Sequence, residues 1–544
     1  MKELIPNLIL SLKHYSKKQF LNDLVAGLIV AIIALPLSIA LALASGVGPE
    51  MGLYTAIVAG FVISALGGSP VQIAGPTAAF ASIVAGIVAS YGIGGLAVAT
   101  VMAGIMLILM GVLKLGSLIK FIPYTITTGF TTGIAITIII GQLKDFMGLT
   151  FAGSPVEAIE KLEEVIHCIG TFNYQAFLIG LLALAILIIL PRFLKKIPPS
   201  LIAIVVTAVL VKVFKLNVNT IGDLYTISAS LPSFTLPDLS IHTIRTLAPD
   251  AFTIAILAAV ESLLSCVVAD GMVGSRHNSN MELVAQGAGN ICSALFGGIP
   301  ATGAIARTAA NIKNGGRTPV AGIVHALVLL LVLVLFMPYA SLIPMPTIAA
   351  ILFVVAYNMS EWRHFIGIIK SSPRSDAVVL IVTFVLTVVF DLVVAICVGL
   401  ILAMMLFMKR MSDVTDAYGW KFADEDDPMS IGLRQVPEGV MVYEITGPIF
   451  FGAADKVARV INTKHHKVVI LRMRSVPAID ATGIHSFETL VKSCKKNKAT
   501  LIMSHVNEQP LESLKKSGLY DMIGEINFRD NIDSALLRAE EILR

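Results

Sequence analysis

Long apolar runs constrain this chain more than any other feature. Ala251 to Ala269, Val320 to Pro338 and Val378 to Met408 approach or exceed the ~20 residues that carry a helix across ~30 Å of hydrocarbon. Charged residues make up only 14% of the 544, and hydrophobic ones 56%; ordinary globular domains carry roughly 25% charge. A soluble protein is therefore excluded, and a multi-pass membrane protein is expected. The formal charge of +4 is too small to imply a nucleic-acid partner. Cys168, Cys266, Cys292, Cys397 and Cys494 show neither CxxC nor metal spacing, so no disulfide framework, metal or cofactor is implied. No nucleophile–base constellation or phosphate loop suggests an enzyme.

Hydropathy predicts about fourteen spans, near 24–44, 51–66, 75–89, 93–113, 124–143, 174–190, 199–214, 251–269, 282–296, 304–312, 320–337, 345–357, 376–390 and 392–408. Loops after the even-numbered spans hold Lys114, Lys120, Arg192, Lys195, Lys196, Arg276, Lys313, Arg317, Arg363, Lys370 and Arg374, whereas the largest odd-numbered loop is acidic (Glu157, Glu160, Glu163, Glu164). The positive-inside rule then puts both termini in the cytoplasm of a bacterial-type inner membrane. Residues 1–22 read as a cytoplasmic amphipathic segment with Lys13, Lys17 and Lys18, and 23–410 as the transport domain. Residues 411–437 read as a linker and 438–544 as a small α/β domain. In that domain, strand-like Val440 to Ile445, Val468 to Met473 and Thr500 to His505 alternate with helix-like Gly483 to Lys495, Pro510 to Ser517 and Ile532 to Leu543.

The membrane part repeats itself, about 23–220 against about 248–410. Residues 51–70 lie without gaps on 281–300, with Met51, Leu53, Gly67, Gly68 and Pro70 meeting identical residues. Ser117-Leu118-Ile119 and Pro123 are echoed by Ser341-Leu342-Ile343 and Pro346. Two units of seven crossings each must enter from opposite faces, which makes an inverted repeat.

After each GGxP comes a Gly/Pro-punctuated lead into a short helix: Val71 to Phe80 in the first half, Ala301 to Thr308 in the second. Irregular backbone at membrane depth survives only where protein buries it or it lines a wet cavity. A helix beginning there aims free N–H groups and its positive dipole end at the cavity. Two such heads would hold an anion with little side-chain charge. The expected site is Thr77, Ala78 and Ala79 facing Gly303, Ala304, Ile305, Ala306 and Arg307, with the N–H groups of Thr77 to Ala79 and Ala304 to Ala306 turned to one cavity. Taken singly, the glycines and alanines also suit close helix packing.

The run Asp270 to Ala326, the opening DLVAGLIVAIIALPLSIALALASGV and the GPTAAF segment resemble the SulP (sulfate permease) family of anion transporters over nearly the whole chain. GPTAAF, ESLL and the NMSEW-like segment further resemble the DauA-type C4-dicarboxylate members. The resemblance implies a UraA/SulP-like seven-plus-seven inverted repeat with core and gate domains, α-helical throughout the membrane. It also implies a homodimer, a small anionic substrate between the half-helix heads, and elevator-like movement in the lipid bilayer. SVPAIDATGIHSFETL resembles the signature of a STAS domain, which implies a cytoplasmic protein partner there. Ala481 follows Asp480 where anti-sigma antagonists carry a phosphorylatable Ser, so Asp480 and Thr482 are expected only to cap a helix.

Glu261 lies deep in the eighth span, where a bare carboxylate would cost at least a few kcal/mol. An acid that is protonated for part of the cycle suits a proton-coupled transporter, and the resemblance puts an acid beside the substrate at this position. Arg307 either adds positive potential behind the anion or pairs with an acid such as Glu261. Sodium-coupled bicarbonate members resemble this chain, but the positions matching their ion ligands are Glu261, Ser265 and Ile305. Ile305 offers no oxygen to a hard cation. Leu37 after Pro36, where sulfate-type members have Gln, makes the site more apolar and favours an organic anion. Proton-coupled C4-dicarboxylate uptake is therefore expected, with sulfate or bicarbonate transport, or a membrane-tethered STAS scaffold, as alternatives. Ser279 and Glu282 read as a capping box, and Asp270, Arg276 and His277 as a cytoplasmic loop network.

Overall fold

The computed structural model describes residues 4–13, 15–117, 123–153, 155, 157–193, 198–225, 230–238, 240–390, 392–419, 436–451 and 466–544. Leu118, Ile119, Lys120, Lys195, Lys196 and most of the expected linker lie outside them. Residues 1–400 and 401–544 form two compact units.

In the first unit each half contributes the expected membrane segments. The first half comprises α1 (Lys17–Ala44), α2 (Pro49–Leu66), β1 (Ala74–Gly75), α3 (Ala81–Val112), α4 (Tyr124–Met147), α5 (Tyr174–Phe193) and α6 (Pro199–Phe214). The second comprises α7 (Ile241–Val273), α8 (Ser279–Leu295), β2 (Thr302–Gly303), α9 (Ile305–Lys313), α10 (Val320–Phe336), α11 (Met345–Ser360), α12 (Arg374–Val389) and α13 (Leu392–Val414), the last beginning in the first unit and ending in the second. The helix α3 is broken at Gly92, whose φ of 68° and ψ of −175° only glycine adopts readily. Its limbs 81–91 and 93–112 supply two segments, so α1–α6 and α7–α13 provide seven each. Eight of the described helices are long and apolar enough to cross a membrane unaided.

The helices pack in two groups that each draw on both halves. One is α1, α2 and α3 with α7, α8, α9 and α10; the other is α4, α5 and α6 with α11 and α12. This is the arrangement an inverted repeat produces when equivalent segments of the two halves interdigitate. The repeated GGxP motif marks equivalent places: Gly67 to Pro70 leads from α2 toward β1, and Gly297 to Pro300 from α8 toward β2.

In the second unit β3 (Asp416–Gly419), β4 (Val440–Thr446), β5 (Val468–Ser475), β6 (Thr500–Ser504) and β7 (Phe528–Arg529) form one sheet in that order. Only β3 is antiparallel to its neighbour. Parallel neighbours need crossovers: α14 (Ala481–Lys496) lies between β5 and β6 and α15 (Glu508–Lys516) between β6 and β7, while α16 (Ile532–Leu543) follows the last strand. Alternation sends Val469, Leu471 and Met473 to a core with Phe487 and Leu490 of α14, and Val468 and Ile470 to one with Leu536 of α16. The strand and helix expectations for this region hold to within a few residues. Asp480 does cap α14, accepting from Gly483 N–H at 2.8 Å and from Phe451 N–H at 2.9 Å.

Candidate anion site

Extended backbone inside a membrane must find partners for its N–H and C=O groups, and each lead finds several of them in the opposite half. The leads themselves pair: β1 is antiparallel to β2, with Ala74 opposite Gly303 and Gly75 opposite Thr302. The ladder extends one bond further, Ala304 N–H donating to Ile73 C=O at 2.9 Å. From the second half, Thr308 Oγ1 accepts from Ile73 N–H at 3.0 Å and Asn311 Nδ2 donates to Val71 C=O at 2.9 Å. From the first half, Thr55 Oγ1 accepts from Ile299 N–H at 2.7 Å. Asn290 holds both backbone groups of Ala301 at 2.8 Å.

Glu282 overturns the capping-box expectation. The N-cap of α8 is Asn278, whose side chain accepts from Met281 N–H at 3.1 Å. Ser279 instead meets the His277 ring at 2.9 Å. The Glu282 carboxylate is fully buried and accepts from Gly68 N–H (3.0 Å), Ser69 N–H (3.2 Å), Gln72 Nε2 (3.2 Å), Ser262 Oγ (3.2 Å) and Gln286 Nε2 (2.9 Å). It pins the first lead to the second half. The sequence did carry a signal: Glu282, Gln286 and Asn290 recur every four residues, a polar stripe on one helix face. In the loop network, His277 Nδ1 lies 2.7 Å from Asp270 Oδ2 and Ser275 Oγ donates to Asp270 at 2.9 Å; Arg276 is exposed beside it.

With the leads fixed, the two helix heads are bare. Residues Ala78–Phe80 make a single 3₁₀ turn into α3, and neither Thr77 before it nor Ala304 before α9 supplies a side-chain cap. Alanine has nothing to cap with. Threonine ordinarily caps, but the Thr77 hydroxyl donates to Glu261 Oε2 at 2.8 Å. The first intrahelical bond of α9 runs from Thr308 N–H to Ala304 C=O. The N–H groups of Ile305, Ala306 and Arg307 therefore precede the ladder. Ala304 N–H is removed from the expected donor set because the ladder uses it.

The remaining expected residues fall into two layers. Ile305 is 44% exposed, Ala306 is exposed, and Thr77, Glu261 and Ala304 are half-buried. Ala78, Ala79, Gly303 and Arg307 lie behind them, buried. Arg307 is only 1% exposed; its Nη2 donates to Pro76 C=O at 3.1 Å and it makes no ion pair with Glu261. The guanidinium thus binds the backbone of the first lead while belonging to the second head. Ser265 Oγ lies 3.5 Å from Thr308 Oγ1, within the packing of the lead.

Comparison with known proteins matches residues 20–383 to the sulfate permease family and 433–535 to the STAS domain. A putative sulfate transporter, YvdB of Bacillus subtilis (strain 168), is 42% identical over 526 residues, covering 96% of this chain and 98% of the relative. The bicarbonate transporter BicA of a Picosynechococcus strain is 32% identical over 541 residues, covering 96% and 94%. Murine solute carrier 26 family member A9, an anion transporter solved in the inward-facing state, has the same fold. Its TM-score is 0.89 at 18% identity, over 99% of this chain and 94% of the other.

Proposed function

The chain belongs to the sulfate permease family of anion transporters, and on that premise we propose that it takes up a small anion together with a proton. The anion sits between the bare heads, on the N–H groups of Ala78 and Ala79 on one side and Ile305 and Ala306 on the other, with Arg307 behind it. Glu261 carries the proton. The observation that carries this reading is the Thr77–Glu261 hydrogen bond: it ties the acid to the residue that would otherwise cap the first head. A change in the protonation of Glu261 therefore acts directly at the anion's donors. The transported species is a C4-dicarboxylate or similar carboxylate, supported by the exposed apolar Ile305 at the second head. Sulfate or bicarbonate is the second reading, favoured by what the two relatives are named for.

Transport proceeds by movement of the group built on α1–α3 and α7–α10 against the group built on α4–α6, α11 and α12, in a homodimer of a bacterial-type inner membrane. Both termini are cytoplasmic, and the STAS domain is the docking point for a cytoplasmic protein. Ile305 and the involvement of Ser265 with Thr308 leave few oxygens for sodium, so uptake is indifferent to that ion. The test is uptake of succinate, sulfate and bicarbonate by proteoliposomes under an imposed pH gradient. Wild type accumulates its anion when the outside is acidic. Glu261→Gln, which mimics the protonated acid, keeps exchange but loses gradient-driven accumulation. Equal accumulation by Glu261→Gln would refute proton coupling through this residue.

A further inference from the structure

Behind the second head, where α2 packs on α10 and the side chain of Arg307 from α9 reaches Gly75, buried polar atoms are left without partners among the described residues. Arg307 Nε and Nη1 donate to no partner among the described residues, Nη2 alone being engaged. His325 on α10 is 0% exposed, and neither ring nitrogen has a hydrogen bond among the described residues. Ser64 Oγ on α2 is likewise buried and unpaired. It packs on Gly322, three residues before His325. Two further glycines join these groups. Arg307 Nη1 lies directly against Gly75, where a Cβ would also sit 3.6 Å from Ala56 Cα. One turn along α2 from Ala56, a Cβ on Gly60 would lie 3.8 Å from His325 Nδ1 and 3.4 Å from Ala74 C=O.

Five unpartnered polar atoms in one seam demand an account, because buried polar groups are almost always satisfied by protein or ordered water. A carboxylate would serve, but none hydrogen-bonds Arg307 among the described residues. Genuinely empty cavities are apolar, whereas a water is held where two to four polar groups converge. A neutral imidazole offers one donor and one acceptor, and the guanidinium offers donors only. Water between them satisfies both.

We propose that ordered water fills the space bounded by Arg307, His325, Gly60 and Gly75 and hydrogen-bonds the imidazole to the guanidinium. His325 is then a positioning residue: it holds Arg307 against Gly75, behind the anion. The positioning role rests on the proposed anion site; the hydrated pocket does not. The full-length protein, labelled with ¹⁵N-histidine and placed in liposomes free of transported anion, tests the pocket by solid-state NMR. The His325 signal, assigned by its loss in His325→Gln, should be that of a neutral ring with a cross-peak to water protons. Gly60→Ala, whose methyl makes ordinary contacts, should remove that cross-peak without unfolding the protein. A His325 that shows no contact with water, or that is charged at neutral pH, overturns the proposal. Uptake supplies the second arm: His325→Leu should raise KM for the anion and leave the maximal rate, and His325→Gln should restore it. Unchanged KM in His325→Leu overturns the positioning role. Failure of the anion site itself would show separately, as normal uptake by Ala306→Leu.

Discussion

The two half-helix heads share a backbone plan and differ in their side chains. Each follows a GGxP turn and an extended lead, each is paired to the other through β1 and β2, and neither has a side-chain cap. The first head carries a hydroxyl bound to a carboxylate, Thr77 with Glu261. The second carries a buried cation, Arg307, fastened to the carbonyl of Pro76 in the first lead. Pseudo-symmetric backbone can supply anion donors from both sides, because helix termini need no particular side chain. Charge cannot be symmetric in the same way if one ion is to be attracted and a different one exchanged. On the proposed function, this difference would place anion affinity mainly at the second head and coupling at the first.

Filling or capping the second head should break the comparison most severely. Ala306→Leu occupies the space over the α9 N–H groups, and Ala304→Asp offers them a carboxylate of the protein's own. Both should abolish uptake while the purified protein keeps its elution profile and helical circular dichroism. For Ala304→Asp the thermal midpoint should rise or hold, since a cap has been added. Normal uptake by both variants would mean the anion binds elsewhere.

A smaller effect separates the heads from one another. Arg307→Gln should raise the KM for anion about tenfold, equivalent to about 1.4 kcal/mol, with the response to an imposed pH gradient retained. Thr77→Val should do the reverse, leaving KM within about threefold, well under that tenfold step, and altering the dependence of uptake on external pH. Equal effects on both quantities from both variants would erase the division of labour. The smallest effect is a control on a head that is capped in the ordinary way. Asp480→Ala in the STAS domain should lower that unit's stability by about 1 kcal/mol, read by chemical unfolding, and leave anion uptake unchanged.

Much of this was legible in the chain because membrane solvent imposes simple rules. Runs such as Ala251 to Ala269 must be helices, GGxP at matching offsets marks the repeat, and a Gly/Pro-rich lead at membrane depth must line something polar or be buried. The break at Gly92 separates the two limbs where hydropathy already divided the third span from the fourth. Alternation likewise located the strands of the STAS sheet. Such features are local, set by spacing along one segment.

What only the tertiary structure decided is how polar groups are partnered, since partners come from segments far apart in the chain. Ser279 and Glu282 have the spacing of a capping box, yet the Glu282 side chain meets backbone donors at Gly68 and Ser69, more than 200 residues away. Ala304 N–H, free by its place before a helix, is taken by Ile73. Arg307, left open between pairing with an acid and backing an anion, turns to the carbonyl of Pro76. His325, one histidine among ten in the chain, is buried near Gly60 with no hydrogen-bond partner among the described residues. Sequence periodicity fixes which face of an element is apolar; it cannot say which donor from the other half will reach it, because hydrogen bonds are decided at about 3 Å by packing across the whole fold.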